Sequence, residues 1–295
     1  PQYFNVQRLR EVARQCLETL RCLPEHDVIH CDLKPENILI SSLAFCKVKV
    51  IDYGNAYLSQ DQRCSYVQSR AYRAPEVVLG LAYTPKVDLW SLGCILMELF
   101  TGKLLFDNRS VQALLASHIA VIGAIPKSML KEGQLSAHYF TEASESAQLK
   151  SGLVGKQDGK LYRMRPRKTS IANVLGAHGC KDGELISFIN AIIKPDPKER
   201  LSAAEALNHP WIKNGPAEPP PYQLTEKDGA GEAGLRLLQK YTSLNNVNDK
   251  DPSGKIDTDA CMEVPLRRFG QAQLEERTTD FFCHDKDGDK ELGFC

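Results

Sequence analysis

The stretch "VIHCDLKPENILI" at residues 28–40 sets a histidine, an aspartate, a lysine and an asparagine within eight positions, walled by aliphatic residues on both sides. Upstream, Leu9, Ala13, Cys16, Leu17 and Leu20 recur at helical spacing and predict an amphipathic helix over about 5–22. Downstream come "NILI" and "CKVKVID", two β-prone runs joined by "SSLAF", and Lys47, Val48, Lys49 and Val50 alternate with the period of a strand. The pair reads as a hairpin. An antiparallel pair returns the residue before its first strand and the residue after its second to the same end. Those residues are Asn37 and Asp52, an amide oxygen and a carboxylate, which together can hold a hard cation such as magnesium. Asp32 lies within reach of the same pocket, and Lys34 can meet phosphate charge. A polar turn between two apolar segments is the plain account of this stretch. The other account is the set that phosphoryl transfer requires: metal ligands, a carboxylate to orient the attacking hydroxyl, and a cation.

Four further motifs decide between them. "HCDLKPEN" resembles the protein-kinase catalytic loop, and "DYG" at 52–54 resembles its metal-binding triplet, with Tyr53 in place of phenylalanine. "APE" at 74–76 resembles the end of an activation segment, "DLWSLGCIL" at 88–96 the helix that anchors the lower lobe, and "KERLSAAEALNHPW" at 198–211 the end of that lobe. The resemblance implies Asp32 as base, Lys34 on the transferred group, and Asn37 and Asp52 as magnesium ligands, with ATP as phosphoryl donor. It implies protein substrates carrying serine or threonine. Cys31 stands where most kinases carry an arginine, and "SYVQSRAYRAPEVVLG" resembles the dual-specificity, tyrosine-regulated (DYRK) family of the CMGC group and its HIPK relatives. By that resemblance Tyr66 is autophosphorylated and Arg70 and Arg73 hold its phosphate, as two guanidinium forks suit a phosphotyrosine. Cys64 replaces the first tyrosine of the family's pair. Also by resemblance, Glu76 and Arg200 form a buried ion pair, Asp88 accepts backbone hydrogen bonds from the catalytic loop, and His30 packs beneath it. Trp90 and the aliphatic stripe after it read as core.

The net charge of zero hides an asymmetry. Residues 1–213 carry 27 Lys+Arg against 21 Asp+Glu, and residues 214–295 carry 10 against 16. "NGPAEPPPYQ" at 214–223 falls on this break and predicts a stiff linker over 214–229. Beyond it, "DKDPSGKIDTDA" places Asp249, Asp251, Ser253, Lys255 and Asp257 along a twelve-residue loop with Gly254 at the sixth position, the EF-hand pattern. A second loop offers Asp285, Asp287, Asp289 and Glu291. Ala260 and Lys290 depart from that pattern, so calcium is expected to bind weakly if these loops take it as a further cofactor. The irregular stretch 141–170 reads as an insertion, with "RMRPRK" as a solvated basic cluster.

No Gly-rich phosphate loop or strand lysine can be found, and the chain begins with Pro1. The expectation is therefore a mostly α chain cut from a longer gene product: a kinase C-lobe at 1–213 with one short β-hairpin and no N-lobe, inactive alone, then an all-α EF-hand pair at 230–295. The alternatives are an inactive kinase-like scaffold and a calcium-binding regulatory module. Ten scattered cysteines without a CxxC pair suit an intracellular protein of cytoplasm or nucleus. No stretch is long and apolar enough for a bilayer span, and nothing points to nucleic acid.

Overall fold

The computed structural model describes residues 4–42, 46–58, 66–106, 108–140 and 168–215. The insertion at 141–167, the linker from 216 onward and both acidic loops lie outside the described residues.

Helix α1 runs Val6–Cys22, opened by Asn5, whose side chain accepts the Arg8 N–H at 3.0 Å. Its stripe of Leu9, Val12, Ala13, Cys16, Leu17 and Leu20 is buried. Four strands follow: β1 at Val28–Ile29, β2 at Ile38–Ser42, β3 at Lys47–Val50 and β4 at Tyr57–Leu58. The remaining elements are helical: α2 (Pro75–Val78), α3 (Lys86–Thr101), α4 (Val111–Ile122), α5 (Lys127–Glu132), α6 (Ser136–Tyr139), α7 (Ile171–Ala177), α8 (Gly183–Ile192), α9 (Ala203–Leu207) and α10 (Pro210–Lys213).

Strands β2 and β3 pair antiparallel with Ile38 opposite Val50, Leu39 opposite Lys49 and Ile40 opposite Val48. Val48 and Val50 face the core while Lys49 is exposed, which pins the register, since a slip by one residue would exchange the two faces. The single hairpin expected from the sequence is corrected by a second antiparallel ladder, in which Val28 faces Leu58 and Ile29 faces Tyr57. Two-residue strands carry no period to read. This ladder exists because the loops on either side of the hairpin run back beside each other.

Helix α3 is buried almost all round and forms the centre of the core, with α1, α7 and α8 packed on it. Gly93 permits one of these approaches: a Cβ there would meet Ile193 Cγ1 at 2.5 Å. Trp90 is fully buried, stacked on Phe106 at 5.5 Å and edge-on to His118 at 4.9 Å. Both ring nitrogens of His118 are buried, with no hydrogen-bond partner among the described residues. Burial, and then the Arg200 charge, pull its pKa down to about 3 from the ordinary 6.5, so it stands neutral in the core.

A histidine whose folded pKa lies below its unfolded one favours unfolding once protons are available. Its neutral form is fully tolerated above about 6.5, and stability is lost as the pH falls from there toward 3. His118→Leu, of similar volume, is expected to lose less stability than the wild type between pH 7 and pH 4 in urea titrations. Equal losses in both proteins would contradict this account.

Candidate active site

The loop from His30 to Asn37 hangs from the first turn of α3. Asp88, buried there, accepts the His30 N–H at 2.9 Å and the Cys31 N–H at 3.0 Å. Burial pushes its carboxyl up, while His30 and the two backbone donors pull the other way. The same bonds hold Cys31 at φ 62, a left-handed conformation that a non-glycine residue adopts only under constraint.

His30 is fully buried, and its ring bridges two segments. Nδ1 accepts the Asp32 N–H at 3.3 Å and Nε2 donates to Ile51 O at 3.0 Å, an assignment that follows from the two partners. The Ile51 N–H in turn donates to Asn37 O at 2.9 Å. One residue, Ile51, immediately before Asp52, is thus tied to both ends of the loop by its N–H and its carbonyl.

Asp32 is 6% exposed, and three donors meet its carboxylate, which leaves Oδ1 room to accept one more hydrogen bond. Oδ2 accepts from Lys34 Nζ at 2.7 Å and Asn55 Nδ2 at 3.2 Å, and Oδ1 accepts from Ser69 Oγ at 2.7 Å. Burial pushes this carboxyl up, but the bonds from Lys34, Ser69 and Asn55 more than reverse it and leave it below its ordinary value. Asn37 is buried and gives its amide N–H to Asp32 O at 2.8 Å, which turns its amide oxygen the other way. Asp52 is exposed, sits at φ 62, and accepts the Gly54 N–H at 3.3 Å. The structure therefore brings Asp32, Lys34 and Asn37 into direct contact and joins Asp52 to them through Ile51 and Asn55.

In the activation segment, the Arg73 guanidinium lies 3.7 Å above the centre of the Tyr66 ring. Its Nε donates to Val67 O at 2.9 Å and Gln68 O at 3.1 Å, and Nη2 donates to Gln68 O at 2.7 Å. Arg70 reaches Asn108 O at 3.3 Å. Arg73 Nη1 and Arg70 Nε are buried and have no hydrogen-bond partner among the described residues. Gln68 stands at φ 67, locked by its side chain to Val87 O at 3.0 Å, Ser91 Oγ at 2.8 Å and the Ala74 N–H at 2.9 Å. Below it, Arg200 meets both oxygens of Glu76, at 2.7 and 3.0 Å, with both residues buried. Sequence reasoning missed Asn55, Gln68 and Ser69. Ser69 lies 37 residues from Asp32, and no local pattern announces the contact.

A sequence model of the protein kinase domain matches residues 2–212. The chain belongs to the protein kinase family. It is 36% identical over 227 residues to the mouse dual specificity tyrosine-phosphorylation-regulated kinase 3, a match taking in 74% of this chain and 38% of that protein. The human counterpart is 34% identical over 260 residues, covering 85% of this chain and 43% of the relative. The probable serine/threonine-protein kinase dyrk2 of Dictyostelium discoideum is 36% identical over 213 residues, 72% and 22% of the two chains. The chain thus spans less than half the length of these relatives, which place it on the DYRK-like side of the family.

The expected absence of an N-lobe is corrected by the family match, which takes residues 2–212 as a protein kinase domain, with strands β1, β2 and β3 inside its first fifty residues. That expectation rested on two short motifs that were not found and on where the chain begins, and neither defines a missing domain. Both acidic loops fall outside the matched residues, and calcium has no support from the match. No helix among the described residues is long and apolar enough to cross a membrane.

The donors on Asp32 carry a checkable consequence. A carboxylate with a depressed folded pKa contributes stability above its unfolded value and loses it as the pH falls through the folded one. Removing one donor with Ser69→Ala is expected to raise the Asp32 pKa, read from the pH titration of its carboxyl carbon by nuclear magnetic resonance. An unchanged or lower midpoint would show that Ser69 does not help to hold the charge.

Proposed function

We propose that the protein transfers the γ-phosphoryl group of ATP to serine and threonine hydroxyls of protein substrates. The supporting observation is the Asp32 carboxylate, kept ionised by three donors in a buried loop whose Asn37 is backbone-bonded to the residue before Asp52. In this reading Asp32 accepts the hydrogen bond of the attacking hydroxyl and orients its oxygen. Lys34, already on Asp32, carries the positive charge that the transferred group meets. Magnesium fits the oxygen donors present, the amide oxygen of Asn37, whose Nδ2 is the end bonded to Asp32 O, and the exposed carboxylate of Asp52, both hard ligands. Bound there, it supplies neutralisation of the nucleotide's phosphate charge.

The activation segment narrows the substrate. The Gln68 carbonyl accepts two hydrogen bonds from Arg73 and cannot also accept one from a substrate backbone. A substrate docked on Asp32 passes Ser69 and then Gln68, so the N–H of its next residue is left without an acceptor there, a loss of about 1–3 kcal/mol. Proline has no such N–H. Tyr66 takes a phosphate held by Arg70 and Arg73, each of which has a buried N–H group without an acceptor among the described residues.

The test uses the full-length protein, labelled ATP and a peptide library. Label is expected on serine and threonine, with peptides carrying proline directly after the acceptor preferred on the order of tenfold. Asp32→Asn is expected to lower the rate by about 10²–10⁴-fold. Transfer that survives undiminished in Asp32→Asn, or none in the wild type with magnesium and ATP, would reject the proposed reaction.

A further inference from the structure

Helix α1 sends one uncharged polar side chain into the core beside the β2–β3 hairpin. Gln15 is 3% exposed, and both ends of its amide meet the backbone around β3. Nε2 donates to Cys46 O at 2.9 Å, and Oε1 accepts the Val48 N–H at 3.0 Å. These groups lie on the edge of β3 that faces away from β2. Lys49 stands opposite Leu39, and the Ile51 N–H goes to Asn37 O, so odd-numbered residues bond across the hairpin and even-numbered ones point outward. The Gln15 amide thus takes the place of a third strand, satisfying an edge N–H that burial would otherwise leave costly.

Gln15 is itself held in place. Its Nε2 also donates to Glu11 Oε1 at 2.8 Å, and Arg14 grips both oxygens of Glu11, at 2.6 and 3.2 Å. The hairpin needs such a fixed point at this end. Its pairing is irregular between Ile40 and Ser42, and Cys46 enters β3 at φ 52. Its opposite end carries Asn37 and Asp52.

We propose that Gln15 is a positioning residue for the magnesium pair: its amide fixes β3 against α1 so that Asp52 is delivered beside the Asn37 oxygen. This rests on the proposed phosphoryl transfer, with Asn37 and Asp52 as ligands. Val48 is four residues from Asp52, which lies just past the end of β3 at Val50, so a displacement at Val48 is carried to the carboxylate with little chain to absorb it. A buried glutamine that only satisfied its own amide would have no such reach.

Two variants of the full-length protein separate these roles. Gln15→Met keeps the volume and removes both hairpin bonds, and Leu20→Ala lowers the stability of α1 at a different turn. Gln15→Met is expected to raise the magnesium concentration for half-maximal transfer about tenfold, the size typical of losing support behind a metal ligand. Leu20→Ala is expected to lower the melting temperature without that shift. An unchanged magnesium dependence in Gln15→Met, with a melting temperature lowered as in Leu20→Ala, would overturn the proposal. Hydrogen exchange on the wild type is a second arm that needs neither a folded variant nor activity. The Val48 amide, which faces no strand, is expected to exchange as slowly as Lys49; exchange at the rate of an open chain would also overturn it. A wild type that transfers no phosphate under any magnesium concentration would sink the proposed reaction instead, and the exchange result would then decide the Gln15 contact alone.

Discussion

The backbone of Ile51 is the junction on which the site depends. Its N–H reaches Asn37 O and its carbonyl receives the His30 ring, so the hairpin and the loop that precedes it cannot move independently. His30 and Cys31 are in turn anchored on Asp88, within the first turn of the core helix α3. A line of hydrogen bonds therefore runs from the most buried helix of the fold to the residue before Asp52. Burying the Asp88 carboxylate is unfavourable by itself, and the two backbone N–H groups it accepts offset that. The anchor is sustained only because the loop is wound tightly enough to present both donors at once.

That winding has a conformational cost, and it is concentrated at the site. Among the described residues five non-glycine residues have positive φ, and Cys31, Asp52 and Gln68 are three of them. Each is held by a named partner: Cys31 by Asp88, Gln68 by Arg73 and by its own side chain, and Asp52 by the N–H of Gly54. Strain of this kind persists where surrounding bonds over-determine it. The core supplies them here, and the result is a carboxylate turned outward at Asp52 and a carbonyl turned inward at Gln68.

What was legible in the sequence was local. The period-two run at Lys47–Val50 and the helical stripe from Leu9 to Leu20 each declare their element, because burial of one face leaves a repeat along the chain. The backbone bond between Ile51 and Asn37 followed from antiparallel geometry. Ser69 and Asn55 were invisible, since their contacts with Asp32 span 37 and 23 residues and belong to no repeat. Gln15 was hidden differently: it sits in the buried face of α1 among aliphatics, where a polar residue breaks the pattern without saying what it meets. The absence inferred for the upper lobe failed because it was read from motifs that were not found rather than from residues that were present.

Two buried arginines differ in how completely their nitrogens are paired. Arg200 meets Glu76 with two bonds and gives the rest of its N–H groups to Lys86 O and Lys194 O, so every nitrogen is paired. A buried guanidinium so satisfied has nothing further to bind, and removing Glu76 would leave an uncompensated charge, a loss of about 3–5 kcal/mol. Arg73 is also buried, yet among the described residues its Nη1 has no hydrogen-bond partner, while its other nitrogens hold the Val67 and Gln68 carbonyls. Burial pulls its pKa down, and the neighbouring Tyr66 works against that. The inward turn of Gln68 is thus already held with Tyr66 unmodified. A phosphate on Tyr66 would add an acceptor to a guanidinium that is in place, strengthening an arrangement instead of creating it.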